Sequence, residues 1–511
     1  MIDNIISFKI WNLSWVFIEN KDFCLKCFLY FFAMNDTSLR LLLKLEENLL
    51  VFKGNIYYDE IGGLIPWELY LRTSSQVSFS SFKMPFYRHP YCSDHLDNFF
   101  LDTEDVFMRE KLKGRKDLKT FSIEDDSEIC WISWIVKKTF FDYSATALSH
   151  NPLAFLYDNE NVLFVCSWYR EWVNSEELSK RISIMEGVER FATFSFCSRS
   201  LIPKSYLKEN YFNGNEYLWF KSFKKVFNTP FSEVEDKYMV SVFDVTMNKT
   251  FLIDSDYATI NPKTKDIIFN STWCSAHLDL NLSVINWLKE IIERDSLMKM
   301  WIYRVTPWKY NIEILPQHII DMLGRFPDIF DLSLYKVKTV YWYTTLAYGA
   351  VKNPWTEPYK FIYWSSHSFL EIDSIKGAIL EMYTTFNNLP NYQFKNISKE
   401  QVLTVMDHYY YYQNNENYEK LSFIFEWNGV VSDINNDYDI DFKTIISNLP
   451  FRIFAFNLTP AFLFDKWIYV TKIISDRLQP MDFWFFNLRL SPFIDMSKVS
   501  KKSILEPHPF F

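Results

Sequence analysis

Residues 285–305, INWLKEIIERDSLMKMWIYRV, are the stretch from which the fold is predicted. In the first half, Ile285, Leu288 and Ile292 recur at helical spacing, and Ser283 just upstream is a candidate N-cap. In the second half, MWIYRV alternates its side chains with the period of two that is typical of a strand. The stretch therefore predicts a helix followed directly by a short strand, and nothing in it resembles a catalytic cluster.

Similar helix-strand units follow downstream at a nearly constant interval. Ile302 and Leu334 occupy matching places 32 residues apart, and Asn457 and Asn487 lie 30 residues apart in the segments RIFAFNL and FWFFNLRL. Further helices are predicted for PQHIIDMLGRF between Pro316 and Gly324, for KEQVLTVMDHYYYY after Ser398, for DFKTIISNL and for FDKWIYVTKIISDRL.

A period near 30 residues, with one helix and one strand per unit, is typical of an α/β solenoid. We therefore predict a leucine-rich-repeat-like fold whose strands lie side by side in one mostly parallel sheet. The predicted strands are residues 299–305, 331–337, 421–427, 452–458 and 482–489. The alternative is an ordinary doubly wound α/β domain with uneven units.

Composition excludes several classes of function. The 511 residues include only 10 glycines, which argues against Gly-rich phosphate loops. The net charge of −9 comes without a basic stripe, so we predict no nucleic-acid partner. No run approaches the roughly 20 apolar residues of a spanning helix, so we predict no membrane partner. Seven scattered cysteines indicate a reduced compartment, either cytoplasmic or nuclear.

Three stretches could carry chemistry, and each is better explained as ordinary structure. CLKC (Cys24 and Cys27) with HPYCSDHLD (89–97) supplies possible zinc ligands, but not at the spacing of a zinc finger. DINNDYDIDFKT (433–444) imitates a calcium loop without its glycine and its final glutamate. Asp407 and His408 are adjacent, but no nucleophile accompanies them, so we predict a helix end fraying into a polar loop. We therefore expect no cofactor, no metal and no catalytic residue.

Several segments together resemble a known family. They are VSVFDVTMNKTFLI, VINWLKEIIERDSLMKMWIYRV, LPQHIIDMLGRFPDIFDLSLYKVK, FIYWSSHSFLEIDSI and YQFKNISKEQVLTVMDHYYYYQNNENYEKLSFIF, preceded by MEGVERFATFSFCSRS. Over roughly residues 176–430, the chain resembles the nematode F-box proteins that carry an F-box-associated domain. The segment MEGVERFATFSFCSRS, residues 185–200, is similar to the end of the F-box.

The resemblance implies a protein-interaction function and no enzymatic activity. The F-box would dock on the Skp1 adaptor of a cullin-based ubiquitin ligase, and the repeat surface would hold an unknown substrate protein. The candidates for the Skp1 contact are Ile182, Met185, Val188, Phe191, Phe194 and Phe196. Residues 1–165 would be an unassigned region, 166–215 the F-box-like segment and 216–511 the F-box-associated repeat domain.

Two alternatives remain beside the adaptor hypothesis. The first is a repeat-type interaction scaffold without a role in ubiquitination. The second is an uncharacterised enzyme in the N-terminal region, with a polar pocket around His89, Asp94 and His95.

Overall fold

A computed structural model describes the backbone of short segments before residue 202 and most of the chain after it. The described residues are 4–10, 13–19, 51–52, 69–72, 79–82, 136–141, 145–150, 163–168, 185–186, 188–189, 192, 202–208, 211–212, 215–218, 224–226, 238–255, 274–339, 341–353, 357–388, 395–403, 405–426, 428–435, 442–459, 468–475, 477–482, 485 and 488–510.

The described strands before residue 170 form two antiparallel sheets. They are β1 (Asn4–Ile10), β2 (Leu13–Glu19), β3 (Val51–Phe52), β4 (Leu69–Arg72), β5 (Phe79–Phe82), β6 (Val136–Phe141), β7 (Ala145–His150) and β8 (Leu163–Trp168). The strand orders are β3-β1-β2-β4-β5 and β6-β7-β8.

The later strands belong to three further sheets. They are β9 (Ile202–Pro203), β10 (Tyr211–Phe212), β11 (Asn215–Tyr217), β12 (Lys224–Lys225), β13 (Tyr238–Asp244), β14 (Lys249–Asp254), β15 (Ser275–His277), β16 (Trp308–Tyr310), β17 (Phe330–Val337), β18 (Tyr343–Val351), β19 (Phe361–Ser368), β20 (Val430–Val431), β21 (Phe454–Asn457), β22 (Tyr469–Ile474) and β23 (Arg489–Leu490).

The described α-helices after residue 202 separate these strands along the chain. They are α1 (Leu280–Tyr303), α2 (Gln317–Leu323), α3 (Glu371–Asn388), α4 (Val405–Tyr412), α5 (Asn415–Tyr418), α6 (Ser422–Phe425), α7 (Phe442–Ser447) and α8 (Lys501–Ile504). No helix among the described residues combines the length and the apolar character that crossing a membrane requires.

Two large sheets organise the later part of the chain. The first large sheet has the order β10-β11-β14-β13-β21-β22-β15, with β9 pairing beside β13. The second large sheet has the order β19-β18-β17-β16-β20, and β12 pairs with β23 on its own. Within the described strands, only the β11–β14 and β16–β20 pairs are parallel. The predicted solenoid with one mostly parallel sheet is therefore wrong.

The five predicted solenoid strands fail for particular reasons. Residues 299–303 are the last turns of α1, and residues 421–425 are helical. The predicted strands at 331–337 and 452–458 correspond to β17 and β21, but these lie in different sheets. Of residues 482–489, only Arg489 belongs to a described strand. The period near 30 residues reflects uneven spacing of unlike elements.

Helix α1 is the central element because both large sheets pack against it. Its N-terminal half, including Val284 and Leu288, packs against β21 and β22, while Met298 and Trp301 pack against β17–β19. Met300, Trp301 and Ile302 are all buried, so this end of the helix has no polar face. A helix buried on all sides loses the 3.6-residue pattern. This explains why MWIYRV imitates the alternation of a strand.

Polar contacts fix α1 in place. The Asp279 side chain, not Ser283, caps the helix by accepting the Leu282 N–H. Ser283 is buried and donates to the Ser275 carbonyl at 2.6 Å, and the Trp287 indole donates to the Ile473 carbonyl at 2.8 Å. These bonds join the helix to β15 and β22, so the side chains of α1 have fixed positions.

Helices α2 and α3 cover the face of the second large sheet that points away from α1. Ile375, Ala378, Ile379 and Met382 of α3 pack against Ile362 in a core that also contains residues of α2. The opposite face of the sheet contacts a second core, in which Tyr409 and Tyr412 of α4 are fully buried. The predicted fraying loop at residues 407–419 is therefore wrong, because its tyrosines belong to this core.

Candidate functional site

The candidate functional site lies on the part of α1 that the two sheets leave accessible. Asn286 is exposed, and Lys289, Glu290, Glu293 and Arg294 are partly exposed, whereas most of the helix is buried. Residues four apart on a helix share a face, so Asn286, Glu290 and Arg294 form one edge of this polar stripe. Ionisable groups on an otherwise apolar helix are the natural place to look for chemistry.

Glu293 contacts the inner face of β19. Its carboxylate accepts hydrogen bonds from the Ser365 hydroxyl and from the His367 backbone N–H. Burial raises the pKa of Glu293 from 4.5 to about 7, although both hydrogen bonds and the nearby Arg294 oppose this change. A carboxylate with so high a pKa lacks enough positive charge around it, so the position favours a cationic ligand.

Glu290 and Arg294 form an ion pair one turn apart on the same helix. The second terminal nitrogen of the guanidinium, Nη1, is buried and has no hydrogen-bond partner among the described residues. A guanidinium donates in a fork, and its free donor is suited to an oxyanion such as a phosphate or a carboxylate.

His367 lies two residues after Ser365, so both side chains project from the same face of β19. Its Nδ1 is 2.9 Å from the Thr344 hydroxyl, and its Nε2 is buried without a partner among the described residues. Burial, with a smaller effect of Lys289, lowers the pKa of His367 to about 3. The imidazole is therefore neutral at physiological pH.

Lys289 completes this side of the site. Its ammonium lies 5.1 Å from the centre of the Phe369 ring, and burial lowers its pKa while Asp373 opposes that change. A carboxylate, an imidazole and an ammonium thus line one α1–β19 interface, and the Glu290–Arg294 ion pair lies beside Glu293 on α1. Such a set can hold a cation together with an anionic ligand.

A second acidic pair lies on a short helical segment near residue 188. Glu186 and Glu189 have the same spacing as Glu290 and Glu293, and the Cys274 thiol donates to the Glu189 carbonyl at 3.3 Å. Cys274 immediately precedes β15 and interacts with Lys472 of β22. Burial lowers the pKa of Lys472 to about 8; Cys274 opposes this change and Arg489 adds to it.

The raised pKa of Glu293 predicts a pH-dependent stability. The folded pKa of about 7 lies above the ordinary value of 4.5, so folding binds a proton and stability falls as pH rises between these values. Glu293→Gln, which imitates the protonated acid, should raise the melting temperature at pH 8 and change it little at pH 4.5. Thermal melts of the metal-free protein measure both. An equal effect at the two pH values would contradict the assignment.

The residues predicted for a partner contact are placed only in part. Met185 is half-buried and Val188 is fully buried, both on the helical segment that carries Glu186 and Glu189. Ile182, Phe191, Phe194 and Phe196 lie outside the described residues. The contribution of these six residues to a partner surface stays a prediction.

The other candidate clusters do not converge on this site. The zinc candidates Cys24, Cys27 and 89–97 lie outside the described residues. Of the calcium-like loop, residues 433–435 and 442–444 are described, and the Asn435 backbone N–H donates to the buried Glu371 at 3.0 Å. Asp407 accepts the Leu403 N–H, and His408 stacks on His508 with ring centres 4.1 Å apart. These contacts assign structural roles to Asn435, Asp407 and His408.

The sequence contains a signal for the acidic residues that the motif search overlooked. The pattern E-x-x-E-R occurs twice, at 186–190 and at 290–294. Two carboxylates three residues apart on a helix lie on one face, and such a repeat would have indicated a shared role. Ser365 and His367 carry no comparable signal, because they reach the site only through the pairing of β18 with β19.

Comparison with known proteins gives independent findings. Residues 174–478 match the family model of the YcaO cyclodehydratases, which is described as binding ATP and Mg²⁺. Both E-x-x-E-R segments and the whole α1–β19 interface fall inside this range. The sequence has no significant match among curated proteins.

Solved structures share the fold at low sequence identity. A heterocyclase in complex with substrate and cofactor is 12% identical, with a TM-score of 0.59 over 92% of this chain and 72% of that chain. The heterocyclase TruD is 11% identical, with a TM-score of 0.56 over 98% and 74%. A chain of the E. coli microcin synthetase McbBCD complex is 13% identical, with a TM-score of 0.50 over 73% and 96%.

Proposed function

The chain belongs to the YcaO cyclodehydratase family, and we propose from this membership that it is an ATP- and Mg²⁺-dependent enzyme that closes rings in a peptide substrate. The family match covers more than half of the chain, which carries the assignment. One observation supports a nucleotide site. The carboxylates of Glu290 and Glu293 share one face of α1 with Arg294, whose buried Nη1 has no hydrogen-bond partner among the described residues.

The family membership corrects the earlier interpretation of the sequence. The resemblance to F-box proteins was wrong, and with it the Skp1 partner, the ubiquitin-ligase function and the expectation of a non-enzymatic chain. The alternative hypothesis of an enzyme agrees better with the family match. That alternative placed its site around His89, Asp94 and His95, which lie outside the described residues and outside the matched range.

The donor set of the α1–β19 interface fits a magnesium ion with a nucleotide. Mg²⁺ takes one or two carboxylates together with water and phosphate oxygens, so Glu290 and Glu293 suffice as protein ligands. No group of three potential ligands close enough to hold a metal occurs among the described residues, and this sort of site does not need one. The raised pKa of Glu293 indicates the same need for positive charge. Because Glu186 and Glu189 repeat the spacing of Glu290 and Glu293, we propose that they bind the same Mg²⁺-nucleotide complex.

The chemistry of cyclodehydration explains why such a site is useful. A side-chain thiol or hydroxyl of the peptide adds to the preceding backbone carbonyl, and the carbonyl oxygen must then leave. Transfer of a phosphoryl group to that oxygen makes it leave as phosphate, so that ATP becomes ADP and the peptide loses water. Bound Mg²⁺ would neutralise charge on the phosphates. Arg294 is placed to donate to a phosphate oxygen.

Calorimetric titration with a non-hydrolysable ATP analogue tests the proposal. We expect the purified full chain to bind the analogue in the presence of Mg²⁺ and to lose at least tenfold in affinity when EDTA removes the metal. A peptide library rich in cysteine, serine and threonine, incubated with ATP, should contain products lighter by one water for each ring. A folded chain that binds no analogue with or without Mg²⁺ would refute the nucleotide site.

Two earlier predictions, the domain boundaries and the cellular compartment, stay proposals. The boundaries near residues 165 and 215 stay proposals for the domain organisation. A cytoplasmic or nuclear compartment remains a proposal that rests on the scattered cysteines. The substrate is expected to be a peptide, in keeping with the microcin synthetase among the similar structures, and not a protein marked for ubiquitination.

A further inference from the structure

At one side of the α1–β19 interface, His367 has a buried nitrogen for which the proposed metal and phosphates provide no partner. His367 is 4% exposed, its Nδ1 is satisfied by Thr344, and its Nε2 has no partner in the described part of the chain. A buried polar atom without a partner is rare in folded proteins and needs an explanation, for example an absent ligand.

The partly exposed Trp342 contacts this imidazole, and Phe369 packs against Trp342. The Trp342 ring centre lies 6.1 Å from that of His367 and 4.3 Å from that of Phe369. Trp342 has a φ of 52°, a left-handed conformation that bulky residues avoid. The turn between β17 and β18 therefore holds a large flat ring beside an unpartnered nitrogen at a conformational cost. Strain of this kind is often associated with a binding role.

The aromatic group lies next to the acidic pair, not at a separate place. Lys289, which contacts Phe369, precedes Glu293 by one helical turn, a rise of about 6 Å. His367 follows Ser365, the hydrogen-bond partner of Glu293, by two residues along β19, again about 6–7 Å. A ligand held at the carboxylates can therefore extend toward His367 and Trp342.

We propose that His367 and Trp342 bind the adenine base of the nucleotide whose phosphates lie at Glu290, Glu293 and Arg294. The inference rests on the proposed function. A purine offers a flat face that packs against an aromatic ring and an edge that forms directional hydrogen bonds. The free Nε2 forms one such bond, and the bond to Thr344 keeps the imidazole ring in a fixed orientation. The ribose spans the distance between the two ends of the site.

The test compares two ligands on the full chain by calorimetric titration in the presence of Mg²⁺. One is a non-hydrolysable ATP analogue, and the other is inorganic tripolyphosphate, which has the phosphates without the base. His367→Asn keeps an amide near the position of Nδ1 for Thr344 and deletes Nε2. We expect it to weaken binding of the analogue about tenfold, as loss of a base contact does, and to leave tripolyphosphate binding unchanged. His318→Asn, on the exposed surface of α2, is the matched control.

Each outcome separates the hypotheses. If the wild-type chain binds neither ligand, the proposed function itself fails. If it binds both and His367→Asn weakens both equally, or weakens neither, the base-binding role is refuted while the phosphate site stands. Trp342→Gly is a second variant in case His367→Asn does not fold, because glycine adopts a φ of 52° readily and removes only the ring. It should weaken binding of the analogue alone.

Discussion

Glu293→Gln is expected to lower the rate of ATP turnover by about 100-fold to 1,000-fold, the size of effect seen when one electrostatic group is removed from an active site. Glutamine keeps the shape of the side chain and its contact with Ser365, but it removes the charge that would hold Mg²⁺. Initial rates of ADP formation with saturating ATP and Mg²⁺ measure the loss. Glu290→Gln should also lower the rate, with an added effect because Arg294 loses its ion-pair partner.

The expected stability of Glu293→Gln makes the activity measurement decisive. The raised pKa of Glu293 implies that glutamine stabilises the metal-free protein at pH 8, so lost activity cannot be attributed to unfolding. Glu313→Gln is the control, since Glu313 is exposed on the short helical turn after β16 and lies away from the α1 stripe. Turnover by Glu293→Gln at the wild-type rate would show that the α1–β19 interface is not the nucleotide site.

Gly377→Ala is expected to destabilise the protein by about 1–3 kcal/mol, the usual cost of overpacking a core. Gly377 lies within α3, where that helix packs closely against β19. A methyl group at this position would lie 2.3 Å from the Ser366 Oγ and 2.9 Å from its Cβ. The hydroxyl can rotate away, but the Cβ is fixed to the strand. The clash exceeds the roughly 1 kcal/mol that alanine gains over glycine within a helix.

Combining Gly377→Ala with Ser366→Gly tests whether the clash with Ser366 causes the loss of stability. Ser366→Gly removes both clashing atoms, so in that background Gly377→Ala should be neutral or stabilising. Gly324→Ala, at the end of α2, is the matched control, because the added methyl group would lie 3.5 Å from the Ile320 carbonyl oxygen, an ordinary contact distance. Chemical denaturation of the four chains of the cycle gives the free energies of unfolding. Equal costs of Gly377→Ala with and without Ser366 would contradict the packing argument.

Several elements could be predicted because their signals are local. Pro316 and Gly324 flank α2 as N-cap and C-cap, as the sequence predicts. The segments that became β17, α7 and β21 were also assigned to the correct type. Caps and short periodic patterns depend on neighbouring residues, and so they can be read without knowledge of the tertiary structure.

Other segments were assigned wrongly because burial on several sides removes the periodic signal. FDKWIYVTKIISDRL was predicted as a helix, but its centre is β22, whose Tyr469, Val470 and Thr471 are fully buried. The β-branched Val470, Thr471 and Ile473 favour a strand, a preference that the predicted helix did not take into account. LSFIFEW failed in the opposite sense, since residues 422–425 form α6.

The sequence by itself determined the helical character of 285–298, the caps of α2 and the two E-x-x-E-R patterns that carry the acidic residues. The tertiary structure alone decided that α1 continues to Tyr303 and that Glu293 meets Ser365, 72 residues further along the chain. It also decided that the Nε2 of His367 is buried without a partner among the described residues. Helix caps and side-chain spacing arise from local interactions. The pKa of Glu293 and the position of His367 depend on burial between α1 and β19, which exists only once the two elements have packed together.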